Sequence, residues 1–423
     1  LKGGFFKMKK DNQTDGVKLF SRRSFIKTAA ITGMGGLVAV GCGQTSQQPA
    51  PTDGKPAKPD DFKLGVILPY SKVFAVLGEH ITKGMELYFE SVDFTAGGRR
   101  IFLIKEDYEN DAQVGMRKAR KLIESDKVDM MTGIVNTGVI YALRDFIHNS
   151  KTPMIVSNAG GDALTRAQKS PYIYRSSFSN WQPGFAMGKW AAENVSKNVL
   201  VTAADYGAGR ESAKGFMESF IPAGGQVVGE VYPPLQTNDF GPYLAQIARV
   251  KPEAIYCFYA GSDAVRFVNQ FKEYGLKNDV KVTCAGFMVE DDVLPAQGDS
   301  ALGIYSSMHW ANTLNIPENQ EFMKAYRERF GFEASVYAVQ GYDTARVIVE
   351  ALNSTKGETS NKDEFMSAIS AVKFTSPRGS FSFDPETNNV VHNLYIREVQ
   401  KVDNALKNVI LATAYEKLKD PGK

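Results

Sequence analysis

Histidine is the side chain that most readily holds a metal or moves a proton near neutral pH. The chain has four: His80, His148, His309 and His392. None has a second His, Cys or carboxylate at metal-ligand spacing, so no metal is expected. There is no Gly-x-Ser-x-Gly elbow and no phosphate-binding loop. Gly33, Gly35 and Gly36 look like half a dinucleotide fingerprint, but no strand precedes them. The pair Asp291-Asp292 reads as a helix N-terminus facing solvent. The expectation is a protein that is not an enzyme and needs no cofactor.

A different chemistry recurs. Six short segments, 69–78, 136–138, 158–162, 205–209, 260–263 and 286–290, are small or Gly-rich. Each follows a predicted strand and leads into a helix. Such turns leave backbone N–H groups free at the positive end of a helix dipole, which suits a carboxylate. Asn158 to Gly161 is the best candidate, with Thr137 as a hydroxyl donor nearby, and Asn136, Thr137, Ala159 and Gly160 are the ligand-binding residues expected from these turns. Aromatics punctuate the same edge: Phe74, Phe178, Trp181, Tyr206, Tyr259, Phe287 and Trp310. Arg210 either clamps the carboxylate or lies on the rim.

These segments need an ordered scaffold. Strands are predicted at 62–68, 100–105, 130–135 and 153–157, with helices at 79–91, 114–125 and 141–150. The alternation resumes with strands at 199–204, 226–232, 254–259 and 280–285 and helices at 211–221, 243–250 and 264–274. Strand-helix alternation of this length gives parallel sheets covered on both faces. The fold class is α/β, with two doubly wound, Rossmann-like lobes. The last third adds a strand at 303–308, helices at 318–330, 336–352 and 362–371, and strands at 380–383 and 391–399 around a turn at 385–389. It supplies helices and a sheet edge rather than a third domain. Ligands of such sheets bind outside the carboxyl ends of the strands.

With 423 residues, two domains are expected, and a net charge of +3 gives no case for nucleic acid. Ser21-Arg22-Arg23-Ser-Phe-Ile-Lys27 resembles a twin-arginine export signal, with Arg22 and Arg23 as its pair. Leu37-Val-Ala-Val-Gly-Cys42 resembles a lipobox, with Cys42 as the lipidation site. Residues 1–41 are thus expected to be a signal peptide and 42–61 a flexible tether. The expected location is extracytoplasmic, anchored to a membrane by lipid. Cys257 and Cys284 each fall in a predicted strand, as buried free thiols or as a pair.

Lys63-Leu-Gly-Val-Ile-Leu-Pro69 with Gly78 and Gly84, Thr132-Gly133, Pro153-Met-Ile-Val-Ser-Asn158, Asp205-Tyr-Gly-Ala-Gly209 and Tyr337-Ala-Val-Gln-Gly-Tyr-Asp343 appear in this order. Together they resemble the type I periplasmic binding proteins of branched-chain amino acid ABC importers, across about 62–399. The resemblance implies two lobes joined by a three-crossing hinge, near Ser177, Met308 and Ser380, with ligand trapped between them. Lobe 1 is then 62–177 with 309–380, and lobe 2 is 178–308 with 381–423.

Departures from the family pattern bear on the ligand. Amino acid binders hold the ammonium with a carboxylate where Met288 aligns, place a threonine at Gly161 and an aromatic at Leu77. A buried ammonium without an anion is costly. The run Tyr174-Arg-Ser-Ser-Phe-Ser-Asn-Trp-Gln-Pro183 also resembles a subgroup that takes up aromatic acids. The expectation is an importer component binding a small aromatic carboxylate like benzoate or a hydroxybenzoate, with Leu77, Phe178, Trp181, Tyr206, Phe287 and Met288 as its walls. An amino acid is the alternative, with Asp205, Glu290 or Asp263 as ammonium partner, and a ligand sensor for a membrane receptor is the alternative of another class. Partners would be ABC permease subunits, and the chain itself a monomer.

Overall fold

A computed structural model describes residues 58 and 60–422. The proposed signal and tether, with Arg22, Arg23 and Cys42, lie outside the described residues, apart from 58, 60 and 61 at the end of the tether. None of the described helices is long and apolar enough to cross a membrane.

The first sheet is built from β1 (Phe62–Leu68), β2 (Thr95–Ala96), β3 (Arg99–Asp107), β4 (Met130–Gly133), β5 (Met154–Val156) and β6 (Ile173–Arg175), in the order β2-β3-β1-β4-β5-β6. All pairs are parallel except β2 with β3. Between them run α1 (Ala75–Ser91), α2 (Ala112–Arg120) and α3 (Thr137–Ser150). β1 reads FKLGVIL and is buried along almost its whole length. That unbroken apolar run is what a strand covered on both faces requires.

The chain then crosses to the second sheet. There α4 (Trp181–Asn194), β7 (Asn198–Ala203), α5 (Gly207–Phe220), β8 (Gln226–Val231), α6 (Gly241–Val250), β9 (Ala254–Phe258), α7 (Ser262–Glu273), β10 (Lys281–Ala285), α8 (Leu294–Gln297) and β11 (Tyr305–Met308) follow in turn. Strands β8-β7-β9-β10-β11 lie side by side in parallel. The last third returns as α9 (Pro317–Phe330), α10 (Val336–Ser354) and α11 (Lys362–Ala371), then β12 (Lys373–Ser376), β13 (Gly379–Phe383), β14 (Val390–Val402) and β15 (Ala405–Leu418). β14 joins the second sheet antiparallel to β11, and β12, β13 and β15 extend from it. The architecture is the expected α/β pair of doubly wound lobes.

α10 packs on α1 through two glycines. A Cβ on Gly84 would stand 1.9 Å from the Ala338 carbonyl oxygen, and one on Gly341 would stand 2.0 Å from that of Ile81. Only glycine permits that approach. It seats the first turn of α10, with Tyr337, against the end of the first sheet.

Several expected boundaries shift. α3 and α5 begin at Thr137 and Gly207, four residues earlier than the apolar period suggests. Asn136 caps α3, its Oδ1 accepting from the Gly138 N–H at 2.7 Å. β6, α4, β12 and β15 were not expected from the pattern. β15 is half-exposed along most of its length, so it carries no strict apolar alternation. Asp291 and Asp292 are half-buried in the lining of a cavity and do not stand on an open helix N-terminus. One oxygen of each, Asp291 Oδ2 and Asp292 Oδ1, is buried without a hydrogen bond among the described residues. Cys257 and Cys284 sit opposite each other on β9 and β10, buried and free.

Candidate ligand-binding site

Six strands end at one cleft between the lobes. From lobe 1 come Phe74 and Leu77 after β1, Val135 and Thr137 after β4, Asn158 and Gly160 after β5, and Tyr337 from α10. Opposite them stand Tyr206 and Ala208 after β7, Phe258 and Ala260 at the end of β9, and Phe287 after β10. Phe178 and Asn180 close the site from the segment that joins the lobes. Both sheets thus present their carboxyl edges to the same point, as doubly wound sheets do.

One end of the cleft is a set of donors. The Gly160 carbonyl accepts from the Asn180 N–H at 2.7 Å, and the Gly161 carbonyl accepts from Arg175 Nη1 at 2.5 Å. The N–H groups of Gly160 and Thr137 make no hydrogen bond among the described residues. Thr137 Oγ1 accepts from Asn180 Nδ2 at 3.1 Å, which leaves its own hydrogen to donate. Arg175 is wholly buried beneath this loop, bonded also to Thr165 Oγ1 and Asn389 Oδ1. Burial lowers its pKa, with Asp420 and Asp162 opposing that shift. Its guanidinium adds fixed positive charge below the free N–H groups.

The other walls are aromatic. Phe178 lies 4.6 Å from Phe287 between ring centroids, and Phe287 stacks on Tyr337 at 6.2 Å. Phe258 packs edge-on against Phe287 at 5.8 Å. The enclosed void is about 20 Å³, room for about one water, so an aromatic ring requires the walls to part.

No Asp or Glu is among the described residues that line the cleft. The three candidate ammonium partners are engaged elsewhere. Asp205 is half-exposed and pairs with Arg210, Oδ1 to Nε at 2.8 Å. Arg210 covers the Tyr232 ring and does not reach the cleft. Glu290 is buried against Arg397 at 2.6 Å. Asp263 is held by Arg266 and by the Gln236 N–H.

Of the residues singled out from sequence, Leu77, Thr137, Gly160, Phe178, Tyr206 and Phe287 meet at the cleft. Four do not. Asn136 is a helix cap that also donates to Asn110. Ala159 is core, its N–H given to the Ile134 carbonyl. Trp181 stacks on Phe185 and donates to Glu218. Met288 points back into the lobe 2 core, because the 3-10 turn Gly286–Val289 turns Phe287 to the cleft instead. Tyr259 and Trp310 are likewise core, bonded to Thr202 and Asn319. Strand alternation puts Phe258, not Tyr259, at the site. Asn180 and Tyr337 were missed, although both lie in runs that carry the family resemblance.

A larger cavity, about 640 Å³, lies elsewhere, lined by Val76, Asp292, Met323, Phe332 and Leu406 among others. It holds none of the strand-end donors at 137 or 160.

Residues 61–405 match the family model described as periplasmic binding protein. The chain is 33% identical, over 86% of its length and 98% of the other, to an ABC transporter solute-binding protein from R. palustris solved in complex with benzoate, with a TM-score of 0.82. It is 36% identical, over 86% and 99%, to one from Rhodopseudomonas palustris BisB5 in complex with 3,4-dihydroxy benzoic acid, also at 0.82. It is 30% identical to the Leu/Ile/Val-binding protein homolog 6 of Brucella melitensis biotype 1, over 86% of this chain and 94% of that one.

Proposed function

This chain belongs to the periplasmic binding protein family, and from that premise we propose that it captures a small aromatic carboxylate outside the cytoplasm and delivers it to an ABC permease. The carrying observation is the cleft itself. It offers Thr137 and Gly160 N–H groups at one end, aromatic walls beyond them, and no acidic residue in its lining. A carboxylate on a flat apolar body satisfies the donors and fills the walls. Relatives of this chain are solved with benzoate and 3,4-dihydroxy benzoic acid, which supports the same reading.

Ligand shifts the open–closed equilibrium only by its preference for the closed form. We place the hinge at three passages, near Ser177, near Met308 and, beyond the Ser380 expected from the sequence, along β14 between its pairing with β13 at Val391 and with β11 at Tyr395. We also propose that Cys42 carries the lipid that holds the protein at the membrane, after export through the Arg22-Arg23 signal.

One observation favours an amino acid as the second reading. Asn180 Oδ1 is buried without a partner, and a Cβ on Gly160 would stand 2.3 Å from it. An ammonium would satisfy that acceptor.

Calorimetric titration with benzoate, 4-hydroxybenzoate, leucine and valine decides between them. Binding of the benzoates alone is the expected outcome. Binding of leucine or valine with no response to either benzoate overturns the assignment.

A further inference from the structure

The 640 Å³ cavity beside α8 shares no lining residue with the aromatic cleft. Its size falls within the ~300–1,000 Å³ of small-molecule pockets. Val76 and His80 reach it from α1, Met323 from α9 and Phe332 from the turn after α9. Asp291 and Asp292, just before α8, and Leu406 on β15 line it as well. Val76 is 47% exposed and Phe332 37%, so two large apolar side chains stand uncovered here.

The polar groups of this cavity are short of donors. Asp291 Oδ1 accepts from Asn312 Nδ2 at 3.0 Å. Asp291 Oδ2, Asp292 Oδ1 and Asn312 Oδ1 are buried without a hydrogen bond among the described residues. The nearby arginines are spent elsewhere, Arg397 on Glu290 at 2.6 Å and Arg327 on Glu333 at 2.6 Å. Lys407 also lines the cavity and pairs with neither aspartate. His80, only 8% exposed, meets Ser335 Oγ through Nδ1 at 2.7 Å, and its Nε2 has no partner among the described residues. Burial, with the Glu290 charge behind it, raises the pKa of both aspartates, that of Asp292 to about 7. Buried polar groups are rarely left in this state, and a buried carboxylate calls for a cation. No group of three or more His, Cys, Asp or Glu among the described residues could hold a metal.

We propose that this cavity is a second ligand site, separate from the carboxylate cleft, and that it takes a small organic amine. The ammonium meets Asp291, Asp292 and Asn312, and its apolar body lies against Val76, Met323, Phe332 and Leu406. A primary ammonium carries three N–H donors and no acceptor, which matches three oxygens that lack a donor. Charge-assisted bonds to the aspartates give the site its preference for a cation over a neutral molecule of the same shape. The proposal goes beyond the aromatic-carboxylate reading and does not depend on it.

The test is calorimetric titration at pH 8, where Asp292 is ionised, with 2-phenylethylamine and its neutral counterpart 2-phenylethanol. The wild type is expected to bind the amine with a Kd of about 1 mM or tighter, and the alcohol at least about tenfold more weakly. Asp292→Asn keeps the side-chain size and removes the charge, and is expected to weaken the amine about tenfold or more. Leu406→Trp fills the cavity and is expected to weaken it by a similar factor. Absence of amine binding to the wild type overturns the proposal, and so does equal affinity for amine and alcohol. Amine affinity that survives either substitution overturns it too, because the amine then sits elsewhere. Circular dichroism checks the fold of both variants, and if Leu406→Trp does not fold, Asp292→Asn and the alcohol decide alone.

Discussion

Glu211 Oε1 accepts a hydrogen bond from Tyr141 Oη at 2.6 Å, and the two residues belong to opposite lobes. Tyr141 lies on α3 beneath the first sheet, and Glu211 on α5 of the second. The other Glu211 oxygen accepts from the Asp162 N–H at 3.0 Å and from Asn180 Nδ2 at 2.7 Å. Asn180 in turn donates to Thr137 Oγ1. One carboxylate therefore bridges the two lobes and, through Asn180, holds the Thr137 hydroxyl at the cleft.

Glu211→Gln keeps the size but replaces a carboxylate acceptor with an amide. Charge-assisted bonds are about twice as strong as neutral ones. The closed form should lose about 1–2 kcal/mol, read as a five- to thirtyfold weaker affinity for 4-hydroxybenzoate. Calorimetry gives the affinity, and small-angle scattering of the ligand-free variant should show a larger radius of gyration than wild type.

Gly160→Ala introduces a methyl group 2.3 Å from Asn180 Oδ1 and 2.6 Å from Phe178. Neither neighbour can yield without disturbing the donor loop. Ligand affinity should fall by more than about a hundredfold, because the loop that presents the N–H is displaced. Circular dichroism should remain that of the wild type, and a titration with retained affinity would place the carboxylate elsewhere.

Asp292 gives a pH signature. Burial, reinforced by the Glu290 charge, raises its pKa from 3.8 to about 7. The folded protein thus holds a proton that the unfolded chain releases near pH 4. Its contribution to stability falls as pH rises from about 4 to about 7, and the cost is complete above 7. Asp292→Asn removes that cost. The variant should be more stable than wild type by about 1–3 kcal/mol at pH 8, with the advantage shrinking toward pH 5. Urea unfolding at the two pH values measures it.

Arg378 and Asp343 form a fully buried ion pair, Nε to Oδ2 at 2.8 Å, beside the proposed hinge. Arg378 also donates to the Ser176 and Ser177 carbonyls and contacts His392 at 3.1 Å, so it touches two of the proposed passages at once. Arg378→Met strands a buried carboxylate and should cost about 3–5 kcal/mol of stability. Thermal unfolding should register a drop of about 4–7 °C.

Half of the candidate site was legible before any coordinates. Strand-end loops are short, Gly-rich and followed by helices, so Thr137, Gly160 and Tyr206 could be read from position alone. The errors have local causes. Asn136 is a residue type that serves helix caps as readily as ligands, and only its bonds to Gly138 and Asn110 decide. Met288 and Phe287 are neighbours in a 3-10 turn, and one step of rotation determines which of them reaches the cleft. Tyr337 could not be found by loop position, because it comes from a helix distant in sequence from every strand it meets.

The sequence by itself determined the alternation of apolar strands and amphipathic helices, hence two parallel sheets and the edge at which a ligand must bind. Apolar periodicity and glycine placement are local properties, and each segment carries its own. Tertiary structure alone decided which side chains face one another across the cleft. The tie of Glu211 to Tyr141, the hold of Asn180 and Arg175 on the Gly160 and Gly161 carbonyls, and the partnerless Tyr337 hydroxyl all depend on segments brought together only by folding. Contacts of that kind are set by how the lobes and helices pack, through steric fit and satisfied hydrogen bonds, and no spacing along the chain encodes them.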